Sequence, residues 1–460
     1  MDKFKQLSDK LWEYAEPGMR EYKSARAYAE FLKNEGFTVN EKICGMYTAF
    51  EGVFGSGSPV ICFLAEYDAL SGLNQRANIF NQEKDSDSDT GQGCGHHLLG
   101  VGSLYGACLY KEYLEKNGLS GTVKFVGCPG EEAGSGKTYL ARDGYFDDCD
   151  IALTWHPGIF NQVVTGSSQS CTAIYFKFKG IASHAASAPH LGRSALDAAE
   201  LMNVGVNYLR EHMEDSDRVH YAYIDAGGKA PNVVQNLTIL KYFVRSKNNH
   251  DCSSLTERVI NCAKGAALMT GTEVEVIFDE GLSNTISNQT LENVLFETMK
   301  EDYDLSYGLD ECEYLSKYKS SFDGKINIPL MVKDEHKLKD DIKNNVICSY
   351  IIEKEHHDIC QMGSTDVGDV SWCVPTGQFN TACFAYGASG HSWQWVAQGK
   401  SSVADKGMKY AGRVLCDAAI KLHNNPELIE KAKRELKLKL DGESYKCPIP
   451  KDVKPHVYDF

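Results

Sequence analysis

Residues 122–142 read TVKFVGCPGEEAGSGKTYLAR, and the three parts of this stretch decide the fold class. The first seven residues are mostly apolar and rich in β-formers, as a buried strand requires. Residues 129–136 form a glycine-rich turn with two adjacent carboxylates, and 135–142 has helical character. A buried strand that passes through a turn into a helix is one unit of a mostly parallel, helix-covered sheet. The same rhythm extends outward. Strands are expected over 47–54, 60–67 and 150–155, and helices over 24–35 and 98–114. Phe4, Leu7, Leu11 and Tyr14 recur at helical spacing ahead of them, and 74–93 is a polar, aperiodic loop.

The pattern changes near residue 170. Strand, helix, two strands, helix and strand follow at 171–179, 194–213, 219–224, 237–245, 253–269 and 273–279. This β-α-β-β-α-β order is that of a ferredoxin-like α+β domain, inserted here within a larger α/β domain. The expected organisation is a first catalytic part at 1–170, an inserted domain at 171–285, and a second catalytic part at 286–460. In the last part a strand is expected at 381–386 and a helix at 402–423, whereas the acidic region 302–358 shows no clear period.

Composition removes several function classes. A chain of 460 residues with 42% hydrophobic and 24% charged residues is globular, neither disordered nor fibrous. Its net charge of −15 opposes nucleic-acid binding, which needs clustered Lys and Arg. No apolar run reaches the roughly 18 residues of a membrane span, and the charged, amphipathic start has no secretory pattern. Sixteen cysteines, scattered without a C-x-x-C, read as reduced thiols of a cytoplasmic protein.

Ligand-type side chains gather where strands are expected to end. In GCGHH (93–97), one glycine separates Cys94 from His96, so thiolate and imidazole can reach one zinc-like ion; alone, the motif is also an ordinary helix start. In PGEE (129–132), Glu131 and Glu132 diverge, so one can bind metal while its neighbour faces a water; an isolated pair is more often a solvated turn. His156, in TWHPG, and His391, in GASGHSW, each sit in a strand-end turn. Open α/β sheets bind ligands at this edge, and four such sites on one sheet reinforce one another.

C-G-H, P-x-E-E, W-H-P and G-x-x-x-H, in this order, resemble the zinc metallopeptidase/amidohydrolase family of aminoacylases and carboxypeptidases. The Cys-containing form resembles its branch of amino-acid-conjugate hydrolases. Further support comes from CGHHLLGVGSL (94–104), KGIASHAASAPHLGRSALDAAELM (179–202), NVGVNYLREH (203–212), GSTDVGDVSWCVPT (363–376) and GHSWQWVAQGKSSVADKGM (390–408), and the likeness runs from about Trp12 to about Leu415. It implies metal ligands Cys94, His96, Glu132, His156 and His391 for two divalent ions, zinc or manganese with cobalt a further option. Glu131 matches the general base. His184, in GIASHA, matches an oxyanion donor supplied by a partner subunit; otherwise it is a surface-turn histidine. Asp68, in AEYDAL, either fixes the tautomer of a metal histidine or caps a turn. Asp366 has a similar pair of readings, with a helix N-cap as the plain one. Asn232 and Arg245 fall where relatives hold a substrate carboxylate, although a surface salt bridge suits Arg245 equally. Gln92 and His97 depart from the family pattern, and His356–His357 reads as a solvated pair.

The implied activity is metal-dependent hydrolysis of the amide of an N-acyl or aminobenzoyl amino acid, by a water that the metal activates. A dipeptidase for β-alanyl- or lysyl-type dipeptides is the alternative within enzymes, and a non-catalytic metal-binding dimeric scaffold is the alternative outside them. The resemblance also implies a homodimer formed through the inserted dimerisation or lid domain, with room for a second related subunit.

Overall fold

The computed structural model describes residues 2–301, 303–322, 324 and 326–456, which leaves Asp302, the first residue of the acidic region, outside the described residues. The chain divides into two compact units. The first comprises 1–167, 286–359 and 370–445, and the second comprises 168–285, 360–369 and 446–460.

The first unit is built on an eight-stranded sheet. Its strands run in the order Thr38–Glu41, Phe50–Ser56, Gly121–Gly127, Val60–Ala65, Ile151–Gly158, Thr376–Ala382, Asn161–Val163 and Ile351–Ile352. The four strands from Gly121–Gly127 to Thr376–Ala382 are mutually parallel, and antiparallel pairings flank them. Their side chains are almost wholly buried, with Phe63, Phe125 and Leu153 at the centre, as expected of parallel strands covered on both faces. Parallel alignment also brings the carboxyl ends of these four strands to one edge. The residues at or just beyond these ends are 66–68, 128–132, 156–158 and 383–391.

The helices His96–Asn117, Ser402–Asn424 and Gln289–Glu301 pack against this sheet. The first two also pack tightly on each other. A side chain at Gly106 would bring a Cβ to 2.8 Å from the Gly412 carbonyl oxygen and 2.9 Å from Leu415 Cβ. A Cβ at Gly412 would lie 2.9 Å from the Gly102 carbonyl oxygen. The small residues of GVGSLYGA therefore set the helix spacing, which fixes how the first turn of His96–Asn117 meets the strand ends.

The structure departs from the sequence expectation at several elements. The strand expected at 381–386 is Thr376–Ala382; residues 383–386 are apolar because they are buried, and they have already left the ladder. The region 302–358 contains helices Leu309–Ser320 and Glu335–Asn344. Leu315, Tyr318 and Leu338 join a satellite cluster there with Phe160, Cys348 and Tyr386. His356 and His357 are not solvated: His356 Nδ1 lies 2.7 Å from Glu292 Oε2, and buried His357 lies 3.1 Å from Thr165 Oγ1.

The second unit has the β-α-β-β-α-β order Ser170–Lys179, Ala195–Leu209, Arg218–Asp225, Leu237–Ser246, Asn249–Thr270 and Glu273–Leu282. Its sheet is antiparallel, with Ser170–Lys179 paired between Leu237–Ser246 and Glu273–Leu282, and Arg218–Asp225 at an edge. Ile174, Phe176 and Phe178 alternate onto the helix-covered face, against Ala199, Met202, Val259 and Ala263. Both helices start on side-chain caps: Ser194 Oγ accepts from Asp197 N at 3.0 Å, and Asn248 Oδ1 accepts from Asp251 N at 2.8 Å.

The helix contact gives a stability test. Gly106→Val is expected to lower the unfolding free energy by about 2–3 kcal/mol, since backbone on the facing helix cannot yield to the added methyls. Gly265→Ala, a helical glycine with open space where Cβ would go, should be neutral or raise stability by up to ~1 kcal/mol. Urea denaturation of both variants measures the contrast.

Candidate metal centre and active site

Four strand ends supply the site. Val60–Ala65 runs into Glu66-Tyr67-Asp68, and the buried Tyr67 hydroxyl donates to the Thr48 carbonyl at 2.7 Å, which anchors this segment. Asp68 uses both carboxylate oxygens. Oδ1 lies 2.8 Å from His96 Nδ1, and Oδ2 accepts the Glu132 backbone N–H at 2.9 Å. Asp68 thus touches both a ring nitrogen of His96 and the backbone of the Glu131–Glu132 turn.

Cys94 and His96 flank Gly95, whose φ of +81° is left-handed and whose Cβ would lie 2.8 Å from Pro157 Cγ. Only glycine allows that close approach while the chain turns into the helix. The Glu131–Glu132 turn is held from below by the buried Glu21, whose Oε1 accepts from Gly130 N at 2.8 Å and Met19 N at 3.0 Å, and whose Oε2 accepts from Thr48 Oγ1 at 2.8 Å. His156 Nδ1 donates to the Pro157 carbonyl at 2.8 Å, leaving Nε2 at 3.3 Å from Cys94 Sγ. His391 adopts a left-handed backbone, φ 58°, rare for a residue with a side chain. Its N–H donates to the Gly93 carbonyl at 2.9 Å, and its Nε2 sits 3.1 Å from Glu132 Oε1.

Three groupings have ligand atoms within 4.8 Å of one another: Cys94, His96 and His156; Cys94, Glu132 and His391; and Glu66, His96 and Glu131. Two buried ligand-type atoms, His96 Nε2 and Glu132 Oε1, have no hydrogen-bond partner in the protein. The contact of His391 with Glu132 Oε1 has the distance of an ion pair without hydrogen-bond geometry. Buried polar atoms left unpaired in this way are costly unless something else satisfies them, and the donor set, thiol, imidazole and carboxylate, suits a divalent ion.

The chain is 39% identical to one of the subunits of the p-aminobenzoyl-glutamate hydrolase of Escherichia coli (strain K12), over 98% of this chain and 96% of that protein. It belongs to the metallopeptidase/amidohydrolase family of that hydrolase. The Xaa-Arg dipeptidase of Mus musculus is 27% identical over 95% of this chain and 89% of its own. Among solved structures, a dinuclear metal-binding peptidase of the M20 family from Bacillus subtilis has the same fold, with a TM-score of 0.56, 15% identity, and coverage of 92% of this chain and 98% of that one. No family model matches the chain. This family member is a hydrolase of amide bonds that binds divalent metal, and among its described residues no helix is long and apolar enough to cross a membrane.

The electrostatics of the hydrolase's site follow from crowding. Four carboxyl groups, Glu66, Asp68, Glu131 and Glu132, and the Cys94 thiol gather near one buried ammonium group, Lys137. Burial pushes the Cys94 thiol strongly upward. Burial also acts against a charged His96, but Cys94, Asp68 and Glu66 together outweigh it and raise that group. Burial and then His96 push His156 down. For Glu132, burial opposes ionisation, yet His391 and His96 hold it below the ordinary carboxylate range. The Glu132 carboxylate is thus held in its anionic form.

His184, Asn232 and Arg245 lie in the second unit. His184 is exposed, and its Nδ1 accepts from Ala186 N at 3.2 Å and Ser187 N at 3.1 Å, so the ring hydrogen is on Nε2. Asn232 is adjacent, its carbonyl accepting from Ala185 N at 3.0 Å. Arg245 donates to Ser364 Oγ at 2.7 Å, a hydroxyl rather than the carboxylate of a surface salt bridge. Asp366 is buried directly before the helix Val367–Cys373. Gln92 and His97 find partners of their own: Gln92 Oε1 accepts from His97 N at 3.2 Å, and His97 Nε2 lies 3.0 Å from the Gly399 carbonyl. Burial depresses His97 to about 3, so it stays neutral.

Sequence reasoning passed over Glu66, Lys137 and Glu21. Glu66 was open to detection, because it shares the strand-end stretch with Asp68 two residues on, and alternate residues of an extended segment share a face.

The Asp68 contact yields a second test. In Asp68→Asn the amide can donate to His96 Nδ1 and so move the ring hydrogen to Nε2, away from any ligand role. Divalent-metal affinity of the apoprotein should fall about 10–100-fold in a calorimetric titration, with the far-UV spectrum unchanged.

Proposed function

We propose that this hydrolase cleaves the amide of a small conjugate ending in an amino acid, an N-acyl or aminobenzoyl amino acid of the aminobenzoyl-glutamate type. The observation that carries the reading is the gathering of Cys94, His96, Glu132, His156 and His391 in two groupings that share Cys94, with Glu131 in a third that shares His96. Five ligands exceed what one tetrahedral ion with an open position requires, so the site takes two ions, zinc or manganese. Bound there, divalent ions polarise a carbonyl and bring the pKa of a water down to about 7. Glu131 stands outside this ligand set and acts as the base that takes the water's proton and returns it to the leaving amine. Asp68 keeps His96 in the tautomer that presents Nε2 to the site. The exposed Nε2–H of His184 suits it to donate to the developing oxyanion, and Asn232 with Arg245 suits a substrate carboxylate, with Arg245 exchanging Ser364 for it.

The inserted unit, 171–285, serves dimerisation and closure between catalytic parts 1–170 and 286–460. Its edge strand Arg218–Asp225 and its helix Ala195–Leu209 leave Tyr221, Tyr223, Ile224, Val204 and Tyr208 exposed, which supports a homodimer in which His184 serves the partner's site. The Escherichia coli relative is named as one subunit of its hydrolase, which supports a second related subunit as well. A reducing cytoplasm fits sixteen cysteines that form no disulfide among the described residues. The likeness to the Xaa-Arg dipeptidase favours a second reading, a dipeptidase for β-alanyl- or lysyl-type dipeptides. A screen of N-acyl amino acids and dipeptides with metal-reconstituted protein separates the two readings, and turnover of neither class overturns both.

Within the carboxylate pair, Glu131→Gln should retain two ions per chain and lose most turnover, about 10²–10⁴-fold. Glu132→Gln should lose metal, measured by elemental analysis after dialysis. Reversed phenotypes would exchange the two roles.

Assembly has its own test. Inactive His184→Ala subunits mixed with inactive Glu131→Gln subunits should regain activity, because a mixed dimer has one site with both groups intact. If mixed dimers form, as shown by native mass spectrometry, and activity does not return, His184 does not act in trans.

A further inference from the structure

Glu66 follows the strand Val60–Ala65 and is buried, as are its two neighbours His96 and Lys137. Its Oε1 receives Lys137 Nζ at 2.6 Å. Its Oε2 lies 3.2 Å from His96 Nε2. That second contact is not a hydrogen bond, since Nε2 has no partner of suitable geometry. Asp68 Oδ1, 2.8 Å from His96 Nδ1, takes the ring hydrogen at the opposite nitrogen. In the neutral ring Nε2 therefore presents a lone pair to a carboxylate oxygen in a buried setting. Two acceptors facing each other at this distance repel unless a proton or a metal ion lies between them.

The spacing itself is informative. Two ligands about 2.1 Å from one ion, at angles of roughly 90–110°, are about 3.0–3.4 Å apart. Glu66–His96 at 3.2 Å matches that range, as do Glu132–His391 at 3.1 Å and Cys94–His156 at 3.3 Å. Glu131 offers an oxygen within 4.8 Å of both Glu66 and His96.

We propose that Glu66 is itself a metal ligand, sharing with His96 the ion nearest Glu131, and that Lys137 is the charge partner that anchors its carboxylate. This rests on the divalent-metal reading of the site and adds a sixth donor to it. An added carboxylate makes this corner harder than a thiolate–imidazole corner, which favours manganese over zinc there. The competing account is a purely structural Glu66–Lys137 ion pair joining the strand to the helix Gly136–Arg142.

The test uses chelator-stripped full-length protein titrated with Mn²⁺ and with Zn²⁺ by calorimetry, without substrate. Glu66→Gln keeps an oxygen for Lys137 and removes the anionic ligand. Its Mn²⁺ affinity at one of the two ions should drop tenfold or more, with a smaller loss for Zn²⁺, and the visible absorption of the Co²⁺-substituted protein should shift. Affinities within twofold of wild type, together with a lowered melting temperature of the apoprotein, would overturn the proposal while leaving the metal reading intact. Wild-type protein that binds no divalent ion would overturn both. Lys137→Met provides a second readout should the Gln variant fold poorly. Uncompensated Glu66 should then make the melting-temperature gain on adding Mn²⁺ larger than in wild type, and an equal or smaller gain counts against the proposal.

Discussion

Asp68 joins two parts of the chain that bring candidate ligands to one site. Its Oδ1 fixes His96 at the start of a long helix, and its Oδ2 fixes the backbone of Glu132 in the turn after another strand. A carboxylate is the side chain that can do both, because it accepts on two oxygens and donates on neither. Its own position comes from the central strand Val60–Ala65 and from Tyr67, whose hydroxyl reaches the Thr48 carbonyl. The ligand geometry is thus referred back to the most deeply buried strands of the sheet, where backbone movement is least available.

The same arrangement concentrates negative charge where solvation is poor. Glu66, Asp68, Glu131, Glu132 and Cys94 share their surroundings with Lys137 and the histidines, and an apolar core would be more stable in isolation. Buried groups that repel each other persist only where the surrounding packing over-determines them. That packing is provided by the glycine contacts between helices His96–Asn117 and Ser402–Asn424 and by Glu21, which ties the Pro129–Glu132 turn to the N-terminal loop. A Cβ on Gly18 would overlap the Ala133 carbonyl oxygen, so that loop is pressed directly onto the turn. Cations then relieve the charge that the fold has assembled.

Much of this was legible in the sequence because strand ends are legible. Residues 122–142 announce a strand, an acidic turn and a helix, and the structure has Gly121–Gly127, the turn and Gly136–Arg142. Cys94, His96, His156 and His391 each stand beside a glycine or proline in the sequence, which marks them locally, although the strand at His156 runs on through Pro157 to Gly158. Glu66 is marked only by sharing the stretch of Asp68, and nothing in the sequence sets Lys137 apart from a surface residue. A lysine after GSG reads as an exposed helix start, and its burial depends on a carboxylate far away in the chain. The region 302–358 was illegible for a related reason: the helix Glu335–Asn344 buries only Leu338, too little to set a period. His356 and His357 have partners at Glu292 and Thr165, which sequence spacing does not pair.

His96 and His156 are locked in the same tautomer by different partners, and this makes the two halves of the centre unequal. Each keeps its hydrogen on Nδ1 and turns Nε2 inward, but His96 faces the Asp68 carboxylate whereas His156 faces the neutral Pro157 carbonyl. An anionic partner makes an imidazole more basic and a stronger donor to a metal, and a carbonyl does so less. The ring environments agree: despite its burial His96 is raised by Cys94, Asp68 and Glu66, while burial and the neighbouring His96 lower His156. One corner is therefore rich in oxygen and negative charge, beside Glu131. The other pairs imidazole with the sulfur of Cys94, whose thiol ionises only when a cation offsets the cost of its burial. The oxygen-rich corner adjoins Glu131, whereas the other offers sulfur and imidazole, so the fold presents two unlike sets of donor atoms side by side.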